Sequence, residues 1–135
     1  MNLKKTILAF DVGEKRIGVA VYKGDVSIAI PIEAINVDGS EYEQIDKLIS
    51  KYGADTLVFG YPRNQSGEIT SQTIYVENFV KKIKNKKINI LFQDESLTSV
   101  IAKEQLSSFK VTFTKADIDS KAAAIILQDY IDQQL

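Results

Sequence analysis

Three β-rich apolar runs fill the first 37 residues: TILAFDV, RIGVAVYK and SIAIPIEAINV, joined by short turns at Gly13 and at Lys23–Gly24–Asp25. Runs of this kind with turn residues between them fold as consecutive hairpins, so the chain opens as a three-strand antiparallel meander. The period then changes. Ser40 and Glu43 have the spacing of a capping box, and Ile45, Leu48, Ile49 and Tyr52 recur at helical intervals before Gly53, which predicts a helix over 41–52. TLVFG reads as a fourth strand and YPRNQSGE as a polar loop. Val76, Phe79, Val80 and Ile83 mark a second amphipathic helix that ends in KKIKNKK, and INILFQ reads as a fifth strand. Residues 98–109 suggest a weaker helix through Ala102, Leu106 and Phe109, and IDSKAAAIILQDYIDQQL predicts a final one.

The order β-β-β-α-β-α-β-α-α gives an α/β fold. Helical crossovers connect the later strands, which must therefore run parallel to one another. At 135 residues, 44% of them apolar, the chain is expected to form one domain over residues 1–135. The apolar runs stop well short of the roughly 20 residues a membrane span requires, which predicts a cytoplasmic protein with no membrane partner.

Composition narrows the chemistry more sharply than the fold. The chain has no Cys and no His, which removes disulfides, thiolate nucleophiles, zinc sites built on either residue and histidine general bases. Catalysis would have to use carboxylates, Lys, Arg, Tyr or hydroxyls, and carboxylates with an oxygen-preferring metal are the natural combination. A net charge of −1 argues against non-specific coating of nucleic acid, leaving room for a local basic patch.

Three acids stand out by position. Asp11 interrupts an apolar strand, where an uncompensated charge is costly to bury. Glu95 follows the fifth strand, and Asp119 is read as opening the last helix, with Ala122, Ala123 and Ile126 at +3, +4 and +7 placing it at the head of a buried face. Asp117 leads a more mixed face and suits helix capping better. Ligands of open α/β sheets collect beyond the carboxyl ends of parallel strands, where Glu95 sits, and Asp11 joins it if the first strand is parallel to the fifth. Three convergent carboxylates repel unless a divalent cation holds them, which points to Mg²⁺ or Mn²⁺ on Asp11, Glu95 and Asp119. Each acid also has an ordinary structural reading, as a turn former, a helix-entry residue or a partner of the helix dipole.

FDVGEKRIGVAV at 10–21, GYPRNQSG at 60–67, DESLTS at 94–99 and IDSKAAAIILQDY at 118–130 together resemble the YqgF/RuvX family of Holliday-junction resolvases. The resemblance implies a ribonuclease H-like fold, a five-stranded mixed sheet flanked by helices, and metal-dependent phosphodiester hydrolysis with the acidic positions on Asp11, Glu95 and Asp119. Members are also implicated in maturing precursor 16S rRNA, so the implied partner is either branched DNA or precursor rRNA. The departures are Glu14, Tyr22–Lys23 and Arg63, which stand where the family commonly has a small residue, Ser–Asp and an apolar residue.

A two-ion site is expected in which Asp11 bridges and Glu95 and Asp119 each complete one shell. Lys15 and Arg16, on the turn beyond Asp11, and Arg63 and Asn64, in the loop after the fourth strand, are the candidate nucleic-acid contacts, with a solvated turn as the plain alternative. KKIKNKK reads better as a complement to a helix C-terminus than as a phosphate patch. Gly18, inside a strand, predicts a close approach by backbone or substrate. Two other classes compete: a non-catalytic RNA-binding ribosome-assembly factor, and an actin-like or sugar-kinase-like nucleotide-binding domain, for which 135 residues are short. The chain is expected to act as a monomer or homodimer.

Overall fold

A computed structural model describes residues 5–24, 28–85, 87–95 and 115–134. Five strands, β1 (Ile7–Val12), β2 (Arg16–Tyr22), β3 (Ile30–Asn36), β4 (Thr56–Tyr61) and β5 (Asn89–Asp94), form one sheet in the order β3-β2-β1-β4-β5. The first three strands are antiparallel neighbours, while β1, β4 and β5 run parallel, as the meander and the helical crossovers require. The helices are α1 (Glu41–Tyr52), α2 (Ser71–Lys81) and α3 (Lys115–Gln134). The weaker helix expected over 98–109 lies outside the described residues. No helix among the described residues is long and apolar enough to cross a membrane.

Strand alternation sorts the core into two layers. Leu8, Phe10, Val12, Ile17, Val19, Val21, Leu57 and Phe59 face α1 and α2, meeting Ile45, Val76 and Phe79. Phe10 stacks on Phe59 at 5.1 Å, and the Tyr42 hydroxyl donates to the Phe79 carbonyl at 2.9 Å, tying α1 to α2. On the other side Ile7, Ala9, Ala20, Tyr22 and Val58 meet Ala123, Ile126, Leu127 and Ile131 of α3. The same parity continues through Asp11 on β1, Arg16 and Gly18 on β2, and Gly60 on β4, placing all four on the α3 side.

Within that layer the glycine on β2 sets how near the helix comes. A methyl group added to Gly18 would fall inside the van der Waals shell of the Asp119 carbonyl oxygen, so the helix backbone rests directly on the strand. Gly18 pairs with Asp11 across the β1–β2 ladder. Asp119 is thereby fixed at the level of Asp11 by backbone contact.

Two local readings are corrected. α1 starts where expected, but Ser40 makes no capping bond to the helix. Its backbone N–H and hydroxyl both donate to Asp38, which holds that carboxyl below its ordinary value, and Glu41 reaches back to the Gly39 N–H at 2.7 Å. The capping box forms instead on α2, where Thr70 and Thr73 exchange side-chain and backbone bonds. Asp119 does not open α3, which begins at Lys115; it stands in the second turn, where the helix dipole is no longer felt and packing decides its orientation. The inward face is as the periodicity implied, with Ala122, Ala123 and Ile126 buried.

Gly18→Ala is expected to destabilise the fold by about 3 kcal/mol, at the upper end for overpacking, because backbone rather than a flexible side chain must yield. Urea unfolding followed by circular dichroism checks this, and a loss below 0.5 kcal/mol, roughly the scatter for a neutral surface change, would contradict the contact.

Candidate active site

A cleft of about 220 Å³ opens at the carboxyl ends of β1 and β4, lined by Asp11, Val12, Gly13, Arg16, Gly60, Pro62, Gln72, Val76, Glu95 and Asp119. Each acid arrives from a different element. Asp11 is the fifth residue of β1, its strand flanked on both sides in the sheet. Glu95 is the first residue beyond β5, and its N–H donates to the Tyr61 carbonyl at 3.3 Å, extending the β4–β5 ladder by one step. Gly60 makes room for it, since a methyl group there would lie 3.2 Å from Glu95 Oε1 and 2.7 Å from Ile126 Cδ1. Asp119 comes down from α3 over Gly18.

Arg16 completes the group. It stands where the turn meets the strand, as the first residue of β2, two positions from Gly18 and on the same face. Its Nε donates to Asp119 Oδ2 at 3.0 Å, with both side chains largely shielded, 28% and 19% exposed. The turn itself is drawn tight by Gly13, whose N–H donates to the Arg16 carbonyl at 3.0 Å; a methyl on Gly13 would meet that oxygen at 2.7 Å.

The far wall belongs to α2 and was missed from the sequence. Gln72 Nε2 donates to the Val12 carbonyl at 3.1 Å, and the Thr73 hydroxyl donates to the Pro62 carbonyl, so the first turn of α2 holds the ends of both β1 and β4. The available signal was TSQT at 70–73, a Thr-x-x-Thr capping pattern after a polar loop.

The remaining candidates lie elsewhere. Lys15 is exposed on the hairpin turn between Gly13 and Arg16, which line the cleft, and is not itself among the lining residues. Arg63 points away from it: Nε is 3.4 Å from Asp94 Oδ1, and the guanidinium lies 5.0 Å over the Tyr61 ring, in a neighbouring concavity that also includes Glu77, Phe92 and Gln133. Asn64 uses its carbonyl oxygen locally, accepting from the N–H groups of Ser66 and Glu68, an Asx turn that shapes the loop. Lys81, Lys82 and Lys84 are exposed at the end of α2 and are not among the residues that line the cleft.

Whether the acids suit a metal can be tested on the donors themselves. Three carboxylates with neither sulfur nor imidazole among the cleft residues suit a hard divalent cation such as Mg²⁺ or Mn²⁺. They share a cleft without closing on one point: among the described residues no group of three acidic side chains comes near enough to hold an ion, and Asp119 gives an oxygen to Arg16. The arrangement is an ion pair flanked by two acids, with donors of the right kind.

Comparison with known proteins decides the lineage. The RuvX family, described as Holliday junction resolvase, matches residues 5–133. The chain belongs to the RuvX family. A relative from Sulfurihydrogenibium sp. is 40% identical over 130 residues, covering 94% of this chain and 90% of its own, and is provisionally named a pre-16S rRNA nuclease. A Shewanella denitrificans relative with the same provisional name is 34% identical and covers 99% of both chains. Among solved structures, Thermus thermophilus RuvC in complex with a Holliday junction aligns with a TM-score of 0.57 at 10% identity, over 96% of each chain. Fowlpox virus resolvase bound to Holliday junction DNA aligns at 0.53 and 14%, over 96% of this chain and 99% of its own. At those identities the likeness is one of fold, and it establishes the ribonuclease H-like topology of this RuvX-family chain.

Gln72→Ala removes a partly buried bond to the end of β1 and is expected to cost about 1 kcal/mol. Thermal unfolding of the variant beside an exposed control such as Gln65→Ala measures it; equal midpoints would show that Gln72 does not brace the cleft.

Proposed function

We propose that this RuvX-family chain is a metal-dependent endonuclease that hydrolyses phosphodiester bonds in structured nucleic acid, with the ends of precursor 16S rRNA as its first substrate. The observation that carries the reading is the meeting of Asp11, Glu95 and Asp119 in one cleft at the carboxyl ends of parallel strands. Precursor rRNA is favoured because the near full-length relatives at 34–40% identity carry that provisional name. Branched DNA is the second reading, and it rests on the family's description as Holliday junction resolvase.

Asp11, Glu95 and Asp119 are the residues that would hold Mg²⁺ or Mn²⁺, whose contribution when bound is to lower the pKa of a water and stabilise the leaving oxygen. The chain's own work is positional. Gly18 and the α3 backbone fix Asp119, Gly60 admits Glu95, and Gln72 and Thr73 hold the strand ends from which the cleft is built. Rigid strands and a packed helix keep the acids in place better than loops could. Lys15, exposed on the turn between two cleft residues, would supply a point charge to a passing phosphate backbone. Arg63, paired with Asp94 and stacked on Tyr61 outside the cleft, would meet nucleic acid only beyond the reacting bond, while Asn64 contributes by shaping the loop that carries Arg63.

Asp11→Asn is expected to lower cleavage of a precursor 16S rRNA fragment in Mg²⁺ or Mn²⁺ by at least about 100-fold while leaving nucleic-acid binding within a few-fold, and chelation should abolish turnover of the parent. The same assay on a four-way DNA junction separates the two substrates. Binding without turnover of either substrate would instead identify a non-catalytic RNA-binding assembly factor.

A further inference from the structure

Asp119 is held at two points by one strand. Gly18 takes its backbone and Arg16, two residues earlier on the same face of β2, takes its carboxylate. The contact is built into the sheet: Arg16 heads the strand, its carbonyl closes the Gly13 turn, and Asn36 pairs with it across the β2–β3 ladder. Asp11, opposite Gly18 in the other ladder, and Glu95 line the same cleft. Among the described residues that line the cleft, Arg16 is the basic one beside three acids, and its guanidinium sits on one of the three assigned above to a cation.

We propose that Arg16 is a positioning residue that acts on Asp119 as a resident counter-ion, and that its guanidinium and a divalent cation are alternative partners of that carboxylate, so that Arg16 sets how tightly the site takes the ion. The reason is electrostatic. A guanidinium and a divalent cation drawn to the same carboxylate in a partly shielded cleft repel each other strongly, because the surroundings screen less than water does. Without a cation, Arg16 relieves the repulsion between Asp119 and its acidic neighbours and keeps the carboxylate turned toward β2. With a cation, that relief is redundant and the guanidinium becomes the less favourable partner. Arg16 has room to yield: its side chain is 28% exposed and lies at the start of its strand, next to the exposed Glu14 and Lys15. The proposal rests on the metal reading above and adds to it a competition internal to the chain.

The test is binding rather than turnover. Isothermal titration of Mn²⁺ into the full-length parent, Arg16→Gln, Arg16→Lys and Asp119→Asn reads the competition directly. Arg16→Gln is expected to bind Mn²⁺ about 3- to 10-fold more tightly than the parent, the range corresponding to loss of one partly shielded ion pair. Arg16→Lys, which keeps the charge, should stay within about twofold of the parent, and Asp119→Asn should bind more weakly. Melting curves give a second reading that also confirms folding: in chelator Arg16→Gln should melt below the parent, and in saturating Mn²⁺ the gap should close or reverse. Tight Mn²⁺ binding by the parent with equal or weaker binding by Arg16→Gln would overturn the competition alone. No Mn²⁺ binding by the parent or by Arg16→Gln would overturn the metal reading as well.

Discussion

The close approach of α3 to β2 is the contact on which the rest depends. Helices normally pack on sheets through side chains, which hold the backbones apart; here Gly18 lets the Asp119 peptide rest on the strand itself. Ala9, Ala20 and Ala123 pack in the same layer beside larger residues such as Tyr22 and Ile126. Because Gly18 pairs with Asp11, that one approach converts a helical residue about a hundred positions away in sequence into a neighbour of the acid on β1. Backbone contact places Asp119 more firmly than its side-chain torsions could.

Around this contact the sheet gathers charge at one end. Parallel strands deliver their carboxyl ends to the same edge, and the two crossovers that make β1, β4 and β5 parallel are also what bring Asp11 and Glu95 together. α2 closes the arrangement from the opposite layer, with Gln72 and Thr73 bonded to the carbonyls of Val12 and Pro62. An acid-lined cleft costs electrostatic energy, and Arg16 offsets part of it within the chain. Fold stability and the chemistry of the cleft therefore meet in the same few residues of β2.

Much of the fold was legible because it is written in local pattern. The meander shows in three β-rich runs with short turns, α1 in Ile45, Leu48, Ile49 and Tyr52 before Gly53, and the inward face of α3 in Ala122, Ala123 and Ile126. The two corrections have different causes. Ser40 and Glu43 match a capping box in spacing, but the Ser40 N–H that Glu43 would accept goes to Asp38, and the Ser40 oxygen accepts from the Gln44 side chain instead of a helix N–H. Asp119 looked like a helix-opening acid because its apolar partners begin three residues later, and the extra turn from Lys115 carries no comparable signal.

By itself the sequence determined the strand and helix order, the absence of thiol and imidazole chemistry, and three acids at positions where solvent was not the expected neighbour. Periodicity and desolvation cost act over a few residues, and a reader of the chain can apply both. Tertiary structure alone decided which charges meet. Arg16 and Arg63 were equally plausible phosphate contacts in the sequence, yet Arg16 is paired with Asp119 in the cleft, while Arg63 turns to Asp94 and Tyr61 outside it. Ion pairing depends on distances of a few ångströms between elements far apart in the chain, and no local pattern encodes those.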